Sequence, residues 1–254
     1  MLFISVLLNE SNSIRYRCQD YSNLTADINL VLLQTFERVK ATAGDLEGDL
    51  RIITKDLYDD ALSIAMNTFC ADEPLGRSIG IEWTPDFESF FVKTFDFGMS
   101  LILLDRATGE PIGIRATRPM FKSEPISTDG IKDEKMLTIF RFYLGAIKEN
   151  NIYKRYDVEE GIHFMGLTVD KKYRRRGFGI KLMKAAIQLV EELNIRPIVI
   201  QSEGTSNYSK RIYEKIGFET IGEAKFEDFV EDGQVVFNNT GEHKSLKVYV
   251  LEIK

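Results

Sequence analysis

Arg174, Arg175 and Arg176, followed by Gly177 and Gly179, are residues whose types and spacing suit the binding of a phosphate-bearing anion. Arginine carries a permanent charge and a fork of donors that matches phosphate oxygens. Glycine lacks a Cβ, so an anion can approach the main chain closely. Stepping outward, Ile162 to Val169 reads as an apolar strand running into this turn, and from Phe178 the residues Leu182, Met183, Ala186, Leu189, Val190 and Leu193 repeat at helical spacing. Asn194 and Pro197 mark a helix stop, and Ile198 to Ile200 forms a second short apolar strand. Strand, crossover helix and strand make a parallel pair, with the anion site at the carboxyl end of the first strand and at the start of the helix. There, free backbone N–H groups and the helix dipole both favour negative charge.

Other phosphate motifs fit less well. A dinucleotide fingerprint requires a third glycine where Leu182 stands, and the Gly-Lys-Ser/Thr of a nucleoside triphosphate loop is absent. The basic run is set in an ordered strand-to-helix junction of a chain with net charge -6, which excludes nucleic acid as the expected partner.

Arg174-Xaa-Xaa-Gly177-Xaa-Gly179 after an apolar strand resembles the acyl-CoA signature of the GNAT superfamily of N-acetyltransferases. Ser206-Asn-Tyr-Ser209-Lys-Arg-Ile-Tyr213-Glu-Lys-Ile-Gly217-Phe218 is similar to the fourth helix of that fold, with Gly217 placed to cap it in the left-handed conformation. The resemblance implies an α/β fold, a mixed central sheet of about seven strands flanked by helices. It also implies acetyl-CoA as cosubstrate. Leu167, Thr168 and Val169 would pair with its pantetheine arm, and Arg174, Arg175, Arg176, Gly177, Phe178, Gly179, Ile180 and Ser206 would hold the rest.

Length and composition agree with one such domain. The chain has 254 residues, 44% of them hydrophobic and 28% charged, enough to bury a sizeable core. Residues 1–48 read as a partly disordered extension and residues 49–254 as the acetyltransferase domain. Within the latter come a strand at Arg51 to Thr54, a helix capped by Asp56 and ending near Asp72-Glu73-Pro74, and a hairpin of Met99 to Leu104 with Pro111 to Ala116. A helix from Asp133 to Lys148 follows, with Met136, Leu137, Phe140, Leu144 and Ile147 on its inner side, and the chain ends in two strands, Glu219 to Phe229 and Leu246 to Ile253. Only Cys18 and Cys70 occur, too few for a disulfide framework, which points to a reducing, cytoplasmic setting. Met1 to Leu8 lacks the basic flank of a secretory signal and is too short to span a membrane. No Cys/His spacing suits a metal. The sequon Asn207-Tyr-Ser209 lies where a sugar would block the expected pocket.

Phe69-Cys-Ala-Asp-Glu73-Pro74-Leu75 resembles a narrower signature, that of the insect arylalkylamine N-acetyltransferases, as do Gly233-Gln-Val-Val-Phe237 and His243. This resemblance implies acetylation of dopamine, serotonin, octopamine, tyramine or related amines, with Glu73 as general base. Such a base has work to do, because an amine that titrates like lysine is protonated at neutral pH, and neutralising it costs roughly 4 to 5 kcal/mol. The bland reading of Asp72 and Glu73 is a helix cap before Pro74. At the other end of the reaction a departing thiolate needs a proton, and Ser209 and Tyr213 share a helix face. The insect enzymes carry functional serines at positions equivalent to Thr205 and Ser209, so the first is replaced by another hydroxyl. Tyr213 stands where many other members of the superfamily have a tyrosine acid, and is the first choice here; its bland reading is a core aromatic. His243 is expected to line the amine pocket or sit on the surface, and His163 to be structural. Trp83, Phe87, Phe90, Phe91 and Phe95 are candidates for an aromatic pocket wall or for core. Other outcomes left open are a longer acyl donor, an acceptor that is a polyamine, amino acid or protein amino group, a catalytically silent CoA-binding module, and any oligomeric state.

Overall fold

The helical and alternating patterns of apolar residues resolve into layers in the structure, a computed structural model that describes residues 4–8, 14–18, 26–193 and 198–253. A hairpin of β1 (Ile4–Leu8) and β2 (Ile14–Cys18) comes first, then α1 (Ala26–Thr42) and β3 (Asp49–Ile52). Next are α2 (Tyr58–Ala65), α3 (Pro74–Ile79), α4 (Pro85–Phe95), β4 (Leu101–Leu104) and β5 (Pro111–Phe121). The chain continues through α5 (Glu134–Glu149), α6 (Ile152–Arg155), β6 (Glu160–Val169), α7 (Phe178–Glu192), β7 (Ile198–Gly204) and α8 (Asn207–Ile216). It closes with β8 (Glu219–Lys225), a small hairpin of β9 (Val230–Glu231) and β10 (Gln234–Val235), and β11 (Ser245–Ile253).

Seven strands build the central sheet in the order β3-β4-β5-β6-β7-β11-β8. Only β6 and β7 run parallel, joined by the crossover helix α7; the other neighbours are antiparallel. The parallel ladder ends at Phe164↔Ser202, although β6 continues to Val169 and β7 to Gly204, so the two strands part beyond that pair. Opposite this point the β5–β6 register slips between Ala116 and Thr117, leaving Met165 as an extra residue on β6. A bulge of this kind bends the strand and re-aims the residues that follow.

One sheet face is covered by α1, α7 and α8. Here Phe36 and Val39 of α1 join Phe178, Leu182, Met183 and Leu189 of α7 in a single apolar core. Each such side chain, fully buried, contributes about 1.5 to 3 kcal/mol. Part of the segment 1–48 therefore packs onto the domain; residues 1–3, 9–13 and 19–25, and the stop expected at Asn194 and Pro197, lie outside the described residues. The other face carries α2, α4 and α5, and differs from the sequence reading in two ways. Two helices, α3 and α4, arise from Pro74 of the Asp-Glu-Pro-Leu motif onward, each with a proline in its first turn, where the missing N–H is no loss. On α5 the buried residues are Met136, Phe142 and Ala146, whereas Phe140, Leu144 and Ile147 line a cavity. Periodicity identifies an apolar stripe but not whether a core or a cavity lies beneath it.

Candidate active site

The helix start at α7 has the form an anion site needs. Gly177 is the N-cap, in the left-handed region at φ 82°, and no side chain caps the helix. Ile180 and Lys181 bond back to the Gly177 carbonyl, at 3.0 and 3.1 Å. A Cβ built on Gly177 would meet nothing within 4 Å, so open space lies in front of this turn. The arginines do not act alike. Arg174 donates to Asp72 Oδ2 at 2.6 Å and to the Val169 carbonyl at 2.9 Å, tying the turn to the loop that carries Glu73. Arg176 lies 3.7 Å from Glu47 and over the Phe178 ring, and Arg175 is exposed at a φ of 63°. Phe178 is core, and Gly179 sits close to Ile212 of α8. Leu167 and Val169 flank the gap on β6, while the Thr168 hydroxyl meets that of Thr68.

Glu73 follows α2 and a wider helical turn, Met66–Cys70, which carries Phe69 of the cavity lining. Glu73 does cap α3: its Oε2 accepts from Gly76 N at 2.6 Å. It is also 8% exposed, and its Oε1 is buried with no partner. Burial pushes its carboxyl above the usual range, against the lowering effect of hydrogen bonding from Gly76, Thr205 and Leu75. Thr205, itself buried, is thus brought to Glu73 from the far end of β7. Tyr143 of α5 joins them. Burial raises its hydroxyl pKa well above the ordinary value, and the charges of Glu73 and Glu203 add to the effect. Cys70 nearby has its thiol pushed up to about 11 by burial and then by Glu73 and Asp133, away from the reactive thiolate form.

Tyr213 of α8 is 2% exposed and stacks on Tyr249. Its hydroxyl bonds to Ser202 and receives Arg115 Nη1 at 3.3 Å, while Ser202 Oγ donates to the Phe164 carbonyl at 2.5 Å. Because Phe164 and Ser202 are the last paired residues of β6 and β7, the phenol stands where the strands part. Arg115 is wholly buried against the Phe164 ring, and burial lowers its pKa. Gly217, at φ 101°, ends α8 by donating to the Tyr213 carbonyl at 3.1 Å. Ser206 caps α8 by accepting from Ser209 N at 3.0 Å, and the Ser209 hydroxyl bonds back to Ser206. His243 also serves this helix end: its Nδ1 accepts from Asn207 N at 3.0 Å, and burial lowers its pKa.

A cavity opens between α4, α5 and the sheet. Phe69, Phe87, Phe90, Phe91, Phe140 and Tyr143 form its aromatic wall, and Arg118, His163 and Glu203 bring polar groups to it. Trp83 stacks on Phe87 and Phe91 from behind, and Phe95 packs into the core beside Tyr58. Arg115, Tyr143, Ser202 and Glu203 were not singled out from the sequence. The one sequence signal was Arg115, a charge set within the apolar run Pro111 to Ala116.

Residues 140–233 match the family described as Acetyltransferase (GNAT) domain. N-alpha-acetyltransferase 30 of Xenopus laevis is 40% identical over 52 residues, which is 20% of this chain and 19% of that protein's length. Arylalkylamine N-acetyltransferase 2 from Aedes aegypti superposes with a TM-score of 0.75 at 23% identity, covering 81% of this chain and 99% of that one. The Drosophila melanogaster polyamine N-acetyltransferase that forms N-acetylagmatine gives a TM-score of 0.70 at 21% identity, covering 81% and 99%. The seven-stranded sheet with parting central strands is thus the GNAT fold. Among the described residues, no helix is long and apolar enough to cross a membrane, and no group of His, Cys, Asp and Glu is placed to hold a metal ion.

Proposed function

We propose that the protein is an acetyl-CoA-dependent N-acetyltransferase for small primary arylalkylamines such as dopamine, serotonin, octopamine or tyramine. The observation that carries this reading is a buried carboxylate oxygen without a partner, Glu73 Oε1, beside an aromatic-walled cavity at the place where β6 and β7 part.

Acetyl-CoA suits what the chain offers. The uncapped start of α7, the open space at Gly177 and the exposed Arg175 would receive its pyrophosphate. The unpaired edge of β6 at Leu167, Thr168 and Val169 would take the pantetheine amides as an added strand, with Arg174, Arg176, Phe178, Gly179, Ile180 and Ser206 shaping the walls. Bound there, acetyl-CoA supplies a thioester whose C–S bond is replaced by the C–N bond of the amide. Glu73 attracts the ammonium group and takes its proton, a task for which burial holds the carboxyl above its usual range. Thr205, itself hydrogen-bonded with Tyr143, keeps that carboxylate in place. Tyr213 donates a proton to the leaving sulfur from the mouth of the gap, with the Arg115 cation beside its hydroxyl. Ser209 and His243 order the start of α8. Most of the acceleration then comes from holding amine and thioester together.

The aromatic wall favours an arylalkylamine over a polyamine, which offers no ring to stack. The cytoplasm is the compartment proposed, on the two cysteines of the sequence. Thiol release from acetyl-CoA and longer acyl-CoA donors, with dopamine, tyramine, serotonin, agmatine and spermidine as acceptors, is the test. Turnover of agmatine or spermidine but of no arylalkylamine overturns the substrate assignment, and CoA binding without any turnover overturns the enzymatic one.

A further inference from the structure

The cavity contains a second buried polar pair that the mechanism above does not use. His163 Nε2 lies 2.7 Å from Glu203 Oε2, with side chains only 6% and 3% exposed. Glu203 Oε1 in turn accepts from Gln201 Nε2 at 2.7 Å, so both carboxylate oxygens are engaged. A carboxylate accepts, so the ring donates its Nε2 proton, and in the neutral imidazole the acceptor lone pair then lies on Nδ1. Nδ1 is buried and has no partner. Buried polar atoms are normally satisfied, and an exception on a cavity wall marks a place where a ligand brings the missing donor.

The position of His163 says which part of a ligand that is. His163 and Gly166 line the same cavity, and their partners on β5, Arg118 and Ala116, are two residues apart, so with Met165 bulged out they are separated by about 7 Å at roughly 3.3 Å per residue. Gly166 lies beyond the last β6–β7 pair, at the acyl-transfer end, and His163 lies before it, at the closed end. Phe90, Phe91 and Phe140 line the same cavity, the Phe91 ring lying against Gly166. A two-carbon amine chain followed by a benzene ring bridges this span, with its amine at Gly166 and the far edge of its ring at His163. Arg118, paired across the ladder from His163, brings a cation to the same end, which disfavours a second ammonium group there.

Resting on the acetyl transfer proposed above, we infer that His163, oriented by Glu203, is a specificity-determining residue that selects amines whose aromatic ring carries a hydrogen-bond donor, such as a phenol or catechol. The imidazole accepts the ring hydroxyl's hydrogen bond at Nδ1. An unsubstituted ring leaves that acceptor unpaired, and sites built to bind a hydroxyl reject analogues that lack it.

The test compares kcat/KM for tyramine, phenethylamine and 4-methoxyphenethylamine, which differ in bearing a donor, nothing, or an acceptor only. The full chain is expected to favour tyramine over each of the others by about tenfold or more. In His163→Phe the tyramine to phenethylamine ratio falls to about 1, and in His163→Gln, which keeps an acceptor, part of the preference returns. Glu203→Gln, which frees the ring to reverse its tautomer, lowers the ratio too, and carries the test if His163→Phe fails to fold by circular dichroism. A ratio that stays at the wild-type value in the folded variants overturns the inference while leaving acetyl transfer standing. Absence of turnover with all three amines overturns acetyl transfer, and this inference with it.

Discussion

Replacing Glu73 by Gln removes a base but keeps an acceptor, because a carbonyl oxygen can still receive the Gly76 N–H that Oε2 now takes at 2.6 Å. For an amine that titrates like lysine, about 1 molecule in 2,500 is neutral at pH 7, from a difference of about 3.4 pH units. A variant that must wait for the free base from solvent therefore loses up to about 2,500-fold in kcat/KM at neutral pH, and the deficit shrinks about tenfold per pH unit as the neutral amine grows. Stability moves independently. The Glu73 carboxyl has a raised pKa in the folded state, so the folded chain holds that proton more tightly than the unfolded one. Its favourable contribution is present below the unfolded carboxylate value and is lost as pH rises through the folded value. At neutral pH Glu73→Gln is free of the buried charge and unfolds at the same temperature as the wild type or higher. Glu73→Ala loses the cap, about 1 kcal/mol, or roughly 2 to 4 °C for a domain of this size. Thiol release with tyramine from about pH 6 to about pH 9, alongside thermal unfolding, reads both effects. A Gln variant within twofold of wild type at neutral pH, or a deficit that does not narrow as pH rises, refutes Glu73 as the base.

Tyr213→Phe removes the hydroxyl that meets Arg115 and Ser202, and is expected to lower kcat by about 10²-fold or more, while Ser209→Ala stays within about threefold; steady-state kinetics showing the reverse order makes Ser209 the acid. Gly177→Val forces a branched residue into a left-handed conformation and fills the space before α7, so calorimetry is expected to show at least tenfold weaker binding of CoA; unchanged binding removes the cradle. His243 has a pKa depressed by burial, so its contribution is present above the unfolded histidine value and is lost as pH falls through the folded one. Chemical denaturation of wild type and His243→Gln between about pH 7.5 and about pH 5 is expected to show a smaller loss in the variant, and equal slopes contradict that role.

The sequence by itself determined the features that depend on residues near one another in the chain. The turn at Gly177, the uncapped start of α7, the glycine end of α8 at Gly217 and the capping glutamate before Pro74 follow from backbone freedom and from hydrogen bonds spanning a few residues. Hydrophobic periodicity also showed the crossover helix and both strands of the parallel pair. Tertiary structure alone decided which side chains meet. Arg115 reaches Tyr213 across 98 positions, Arg174 reaches Asp72 across 102, and His163 reaches Glu203 across 40. These encounters depend on strand register and on where β6 and β7 part, and burial of whole faces sets that register. The same reason explains α5, whose apolar stripe was evident while the cavity beneath it was not. A polar atom such as His163 Nδ1 is left without a partner only once the surrounding elements have closed around it, and no local pattern of residues records that.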